Sequence, residues 1–363
     1  MITKEMVMDA MRTVQDPELF KDLVTLNMVK DVRIVGNNVT VVIELTTPAC
    51  PLKGVIEKDS IDAVSKIEGV GEIKIEMPSK VTQTSPVLGG EENLIPTIKN
   101  VIMVGAGKGG VGKSTISVNL AISLAQTGAK VGLMDADIYG PSLHLMMGMK
   151  DARVMTEDGK IMIPLEKYGV KFITIGSLVD EGQALIWRGP ILEGVLKQFL
   201  TDVKWGELDY LIIDLPPGTG DVQLSLAQKI KATGSVIVST PQDVALIDVK
   251  RAKTMFDKVE VPILGVIENM SYFLCPHCGD RTDIFSTGGT KKMAKTFGLK
   301  FLGDLPIDTD LREGGDLGVP IVMEEGPLKD TFSSIAKSVI ERVEELNAKN
   351  KEDERKTIFT PKF

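Results

Sequence analysis

The chain has 363 residues, 43% apolar and 25% charged, with 50 acidic against 42 basic side chains and a formal net charge of −8. Its length predicts two domains, and its acidic balance excludes the broad basic footprint of a nucleic-acid binder. No apolar run reaches the about 20 residues that cross a bilayer, no charged-then-apolar leader pattern opens the chain, and its three cysteines do not form a secreted disulfide framework, so a cytoplasmic protein with no membrane or nucleic-acid partner is expected.

Residues 1–77 predict a small α+β domain. Thr3 is a candidate N-cap for a helix whose stripe is Met6, Met8, Met11 and Val14. Asp16, Pro17, Glu18 and Leu19 make a turn signal. Val29–Val35 and Val39–Leu45 alternate as two strands joined by a turn at Gly36, Asn37 and Asn38. Pro51 opens a second helix to about Ile67, and Val70–Ile75 is a last strand. Cys50, just before Pro51, falls at a helix N-cap, where unpaired N–H groups favour a thiolate; a buried structural cysteine is the competing reading. The segments DPEL (16–19) and TTPACP (46–51) resemble the small domain of iron–sulfur assembly proteins, and that resemblance implies a reactive or metal-handling thiol at Cys50.

Residues 78–98 are rich in Pro, Gly, Ser, Thr and Glu without periodicity and read as a mobile linker. From there to residue 346, apolar runs alternate with helical patterns. Strands are expected at 101–105, 130–135, 171–175, 210–214, 235–240, 262–268 and 300–303, with helices near 114–127, 190–200, 222–230, 243–258 and 289–297. This pattern predicts an α/β domain: a buried, mostly parallel sheet with helices on both faces. Leu328, Phe332, Ile335, Val339, Val343 and Leu346 line one face of a closing helix, and 347–363 read as a charged, unpatterned tail with a frayed end.

Between the first strand and the first helix of this domain lies GAGKGGVGKST (105–115), a G-x-x-x-x-G-K-S pattern in strand–loop–helix context. Its glycines let backbone N–H groups turn inward beside a helix N-terminus and make a phosphate cradle from Gly107, Gly109, Gly110, Val111, Gly112 and Thr115. Lys113 is placed to reach the β- and γ-phosphates of ATP, and Ser114 to ligate Mg²⁺. Lys108 is a second lysine that the phosphates do not require. The loop resembles the deviant Walker A ATPases, the family of MinD, ParA and the nitrogenase iron protein. That resemblance implies an ATP-dependent homodimer in which Lys108 reaches the partner's nucleotide.

Function should cluster at the carboxyl ends of the strands. Asp135 and Asp137 follow the second strand and face the γ-phosphate; the resemblance gives Asp137 the attacking water and Asp135 a Mg²⁺-linked or structural role. Asp214 ends an apolar strand as the Walker B acid for Mg²⁺, and Gly218 follows it in a loop able to sense hydrolysis. Asn269 and Pro306 stand at two further strand ends, where the family holds adenine.

Cys275-Pro276-His277-Cys278-Gly279 admits three readings: a redox pair, half a structural zinc site, or half a four-cysteine iron–sulfur site. A redox pair of that kind opens a helix, which is not expected here. Two thiols are too few for either metal in one chain, and a two-fold dimer completes four. With WRGP (187–190), DLPPGTGD (214–221) and REGGD (312–316), the chain resembles the Mrp/ApbC branch of iron–sulfur cluster carrier ATPases. This implies a dimer that hydrolyses ATP slowly and carries a [4Fe–4S] cluster from cluster donors to apo iron–sulfur proteins. The competing reading is a MinD/ParA-like positioning ATPase with a zinc clasp.

Overall fold

The computed structural model describes residues 3–14, 22–25, 28–43, 53–67, 69–71, 73–76, 95–138, 140–178, 189–218, 220, 223–224, 227–228, 230–285 and 288–358. The segments 16–19 and 46–51, with Cys50, most of the linker, and Trp187 and Arg188 lie outside the described residues. The chain divides into two units, Met1–Val81 and Thr82–Phe363.

In the first unit, strands β1 (Val29–Val35), β2 (Asn38–Ile43) and β3 (Ile73–Glu76) form a sheet in that order, β1 antiparallel and β3 parallel to β2. Gly36, at φ +64°, is the first of two residues between the paired Val35 and Asn38, the glycine-first arrangement of a type II′ hairpin. Thr3 Oγ1 accepts from the Met6 N–H at 3.3 Å and starts the helix Lys4–Met11. Of the expected stripe, Met11 and Val14 are buried and Met8 packs against the same core, but Met6 is turned outward and its place is taken by Val7, fully buried one turn before Met11. They pack with Val14, Leu23, Val39, Val41, Ile43 and Val64, the last from the helix Lys53–Ser65.

The second unit is built on β4 (Ile98–Gly105), β5 (Val131–Asp135), β6 (Met155–Glu157), β7 (Ile161–Ile163), β8 (Leu165–Lys167), β9 (Val170–Ile173), β10 (Leu208–Asp214), β11 (Gly234–Ser239), β12 (Ile263–Glu268), β13 (Phe273–Leu274), β14 (Arg281–Thr282) and β15 (Phe301–Asp304). Eight of these make one sheet in the order β15-β12-β11-β4-β10-β5-β9-β8, parallel throughout except for β8 against β9. The expected mostly parallel α/β sheet is present. Met103, Met134, Leu211 and Ile213 cluster on one face with Phe199 and Phe256, from the helices Gly189–Thr201 and Asp243–Lys258. Their strand neighbours Ile102, Leu133 and Ile212 point the other way and are equally buried, on the side of the helices Lys113–Gln126 and Pro327–Ile358. Each such side chain contributes about 1.5–3 kcal/mol by leaving water.

The sequence pattern did not show the strands β6, β7, β8, β13 and β14, or the helices Leu143–Met146 and Thr309–Leu317. The predicted helix near 222–230 falls partly outside the described residues. The tail is corrected: the closing helix continues past 346 to Ile358. Asn347 is buried and its Nδ2 donates to Asn100 Oδ1 at 3.0 Å. Beyond it, Ala, Lys, Glu and Arg sustain the helix by propensity with no apolar stripe to announce it.

Candidate functional site

Parallel pairing sets the site by register. Asp214 at the end of β10 stands opposite Val104 of β4 and Asp135 of β5, so three strand ends deliver the phosphate loop and two carboxylates to one edge. The loop from Gly105 enters the helix Lys113–Gln126 through Gly112, at φ +83° with no side-chain cap on the helix. The helix N-terminus is thereby left to an anion.

Lys113 is buried, and its Nζ lies 2.8 Å from Asp214 Oδ1. Ser114 Oγ donates to Asp214 Oδ2 and Ser117 Oγ to Oδ1, each at 2.6 Å. Asp135 is buried beside this group. Its Oδ2 accepts from Thr174 Oγ1 at 2.9 Å and its Oδ1 from the Asp137 N–H at 3.1 Å. Burial, and then the charge of Asp214, push the Asp135 carboxyl up to about 7. Asp137 is half-buried on the loop side, and its Oδ1 accepts from the Gly140 N–H at 3.3 Å. Lys113, Ser114, Asp135 and Asp214 thus meet at one strand edge, and Asp137 joins them through its backbone N–H. Ser117 and Thr174 hold the acids in place and carry no sequence signal beyond that of ordinary polar residues.

The loop glycines divide by what surrounds them. A Cβ on Gly107 would lie 2.2 Å from the carbonyl oxygen of Asp248, in the helix Asp243–Lys258. Close backbone approach therefore dictates that glycine. Gly109 and Gly110 are exposed, and Lys108 is half-buried. The Gly218 N–H donates to Ala106 O at 3.2 Å, which ties the loop after Asp214 to the phosphate loop. Ser114 Oγ and the Asp214 carboxylate form the oxygen-donor pair that Mg²⁺ takes alongside phosphate oxygens and water, so the residues present fit that ion.

Asn269 follows β12. Its Nδ2 donates to Val111 O at 2.9 Å and fills the space where a Cβ on Gly112 would sit, 2.2 Å away. Its Oδ1 is buried and has no hydrogen-bond partner among the described residues. Pro306 is buried at the neighbouring strand end. There the Ser271 N–H donates to Leu305 O at 2.8 Å and the Ile307 N–H to Tyr272 O at 2.6 Å.

The cysteine pair lies on the excursion that leaves this strand end. β13 and β14 form a two-rung hairpin with Cys275, half-buried, and Cys278, exposed, at its tip. The Gly279 N–H donates to Cys275 O at 2.8 Å, and Gly279 sits at φ +74°, the left-handed turn that glycine takes without strain. Hydrogen bonds from the backbone of Cys278 and His277 hold the Cys275 thiol below its ordinary range. The tip is a hairpin and opens no helix, unlike a helical redox pair. Among the described residues no group of three His, Cys, Asp or Glu converges on a metal. Leu274, Ile284 and Phe285 around it are exposed apolar side chains.

A family model described as the NUBPL iron-transfer P-loop NTPase matches residues 97–340, and one described as iron–sulfur cluster assembly protein matches residues 4–75. The iron–sulfur cluster carrier protein of Deinococcus radiodurans is 52% identical over 315 residues, covering 86% of this chain and 87% of that protein. The protein so named in Synechocystis sp. is 45% identical over 349 residues, covering 94% and 98%. Among solved structures, a nucleotide-binding protein of Archaeoglobus fulgidus in complex with ADP has a TM-score of 0.56 and 40% identity, over 63% of this chain and 90% of that one. The cell division ATPase MinD of Pyrococcus furiosus shares the fold, with a TM-score of 0.53 and 23% identity over 67% and 98% of the two chains.

Proposed function

The chain belongs to the NUBPL iron-transfer P-loop NTPase family, and from that premise we propose that it is a homodimeric ATPase that carries a [4Fe–4S] cluster between subunits and passes it to apo iron–sulfur proteins. The observation that carries this reading is the hairpin tip. It presents two thiols, one with its thiolate favoured by backbone N–H groups, and no third ligand among the described residues. A second copy supplies the other two thiolates. A cluster held by only two thiolates from each chain leaves by exchange with the cysteines of an acceptor, a ligand substitution that needs no change in oxidation state.

The phosphate loop supports the ATPase half. Backbone N–H groups and the helix N-terminus receive the phosphates, and Lys113 moves from Asp214 toward their charge. Ser114 and Asp214 would hold Mg²⁺, which neutralises phosphate charge when bound. Asp137 orients a water whose oxygen bonds to the γ-phosphorus as the bond to the β–γ bridging oxygen breaks, leaving ADP and phosphate. Lys108 serves the partner's nucleotide, and Asn269 and Pro306 hold adenine.

Anaerobic reconstitution with iron and sulfide, with metals counted per dimer, tests the carrier reading. About four irons per dimer, lost in Cys278→Ala while ADP binding persists, is the expected result. One zinc and no iron would leave a zinc-clasped ATPase in its place.

A further inference from the structure

Glu268 ends β12 and is 1% exposed, yet none of the roles above uses it. Both of its carboxylate oxygens are engaged, and each holds one root of the same excursion. Ser271 Oγ donates to Oε1 at 2.6 Å, where the chain leaves the sheet. The Thr290 N–H donates to Oε2 at 2.9 Å, where the chain returns at the start of the helix Gly289–Thr296. Everything between those roots belongs to the excursion that carries Cys275 and Cys278. Met270, at φ +57°, makes the left-handed turn that brings Ser271 back onto the carboxylate.

The next residue, Asn269, reaches the phosphate loop. Its amide bonds Val111 O and leaves no room for a Cβ on Gly112. Glu268 O also accepts from the Leu305 N–H at 2.9 Å, beside Pro306. The contacts between the phosphate loop, the Leu305–Ile307 loop and the cysteine excursion therefore converge on residues 268–273. Close-packed interiors transmit small displacements, so a shift of Val111 and Gly112 around phosphate displaces Asn269 and the backbone on either side of it. Because one carboxylate ties both roots, they follow that displacement together.

We propose that Glu268 is a positioning residue that locks both roots of the cysteine hairpin to the strand end contacting the phosphate loop, so that nucleotide sets the geometry of the thiol pair. The inference rests on the reading of the loop as the nucleotide site and of the thiols as cargo ligands. Glu268→Met keeps the side-chain length but offers no oxygen to Ser271 Oγ or to the Thr290 N–H, so both roots are released.

The test follows carbamidomethylation of Cys275 and Cys278 by iodoacetamide in the cluster-free full chain, mapped by peptide mass, with and without Mg²⁺ and ATPγS. In the unmodified chain the nucleotide is expected to change the rate about fivefold or more; in Glu268→Met the response falls below about twofold while ATPγS affinity stays within about threefold. Ser271→Ala releases the first root alone and decides the matter if Glu268→Met does not fold. Full retention of the response in both folded variants overturns the proposal, as does an unmodified chain that binds ATPγS and loads iron yet shows no response. ATPγS binding and iron loading are measured separately, so failure of either strikes the functional reading itself and the coupling falls with it.

Discussion

At the scale of single residues, the site concentrates charge that its neighbours must hold. Lys113, Asp214 and Asp135 meet in the interior because three parallel strands end at one level, and the one lysine faces two acids. Asp135 bears the consequence, its carboxyl raised from an ordinary 3.8 to about 7 by burial and then by Asp214. The fold thus binds this proton more tightly than the unfolded chain does. Ionising Asp135 costs the fold nothing below the unfolded value, a growing amount as pH rises toward about 7, and a constant amount above it. Asp135→Asn cannot ionise, and it keeps both contacts with its Oδ1 accepting from the Asp137 N–H and its Nδ2 donating to Thr174 Oγ1. In metal-free, nucleotide-free buffer the variant should raise the urea midpoint at pH 8 and leave it unchanged near pH 4. Equal shifts at both pH values would assign the effect to packing instead of charge.

At the scale of elements, two glycines that look alike in sequence have opposite reasons to be glycine. Gly107 admits no Cβ because the backbone of Asp248 is in the way, whereas Gly279 has open space but a left-handed φ. Gly107→Ala must push the helix Asp243–Lys258 off the loop, at a cost of roughly 1–3 kcal/mol or more, and should lower both the urea midpoint and ADP affinity. Gly279→Ala should cost about 1 kcal/mol of local strain, leave ADP affinity alone and weaken metal retention at the hairpin. Unchanged metal retention in Gly279→Ala would mean that the tight turn is dispensable. The sequence pattern announced the phosphate loop and the strand-end acids because their chemistry demands fixed residue types at fixed spacing. It was silent on Glu268, Ser271 and Asp248, whose roles depend on which elements meet in space. The helix Thr309–Leu317 was hidden by Gly314 and Gly315, and β6, β7 and β8 are too short, and mostly too exposed, for an alternating pattern to stand out.

At the scale of the whole molecule, the two units have separate cores of unequal size. The Met1–Val81 unit packs Val7, Met11, Leu23, Val41, Ile43 and Val64, while the Thr82–Phe363 unit buries both faces of an eight-stranded sheet. A domain of about 60 residues buries only about 60% of its unfolded surface against about 75% for one of about 300, so the smaller unit is the more marginal. Every residue assigned here to nucleotide and cargo thiols lies in the larger one. The full chain should therefore unfold in urea in two steps, the first belonging to the smaller unit. A chain beginning at Thr82 should lose that first step and keep its ADP affinity and its thiol-dependent iron. Two outcomes would count against this division: a single cooperative transition in the full chain, or loss of ADP binding on removal of residues 1–81. Either would mean that the N-terminal unit contributes to the stability of the nucleotide site, and the assignment of both sites to residues 82–363 alone would have to be withdrawn.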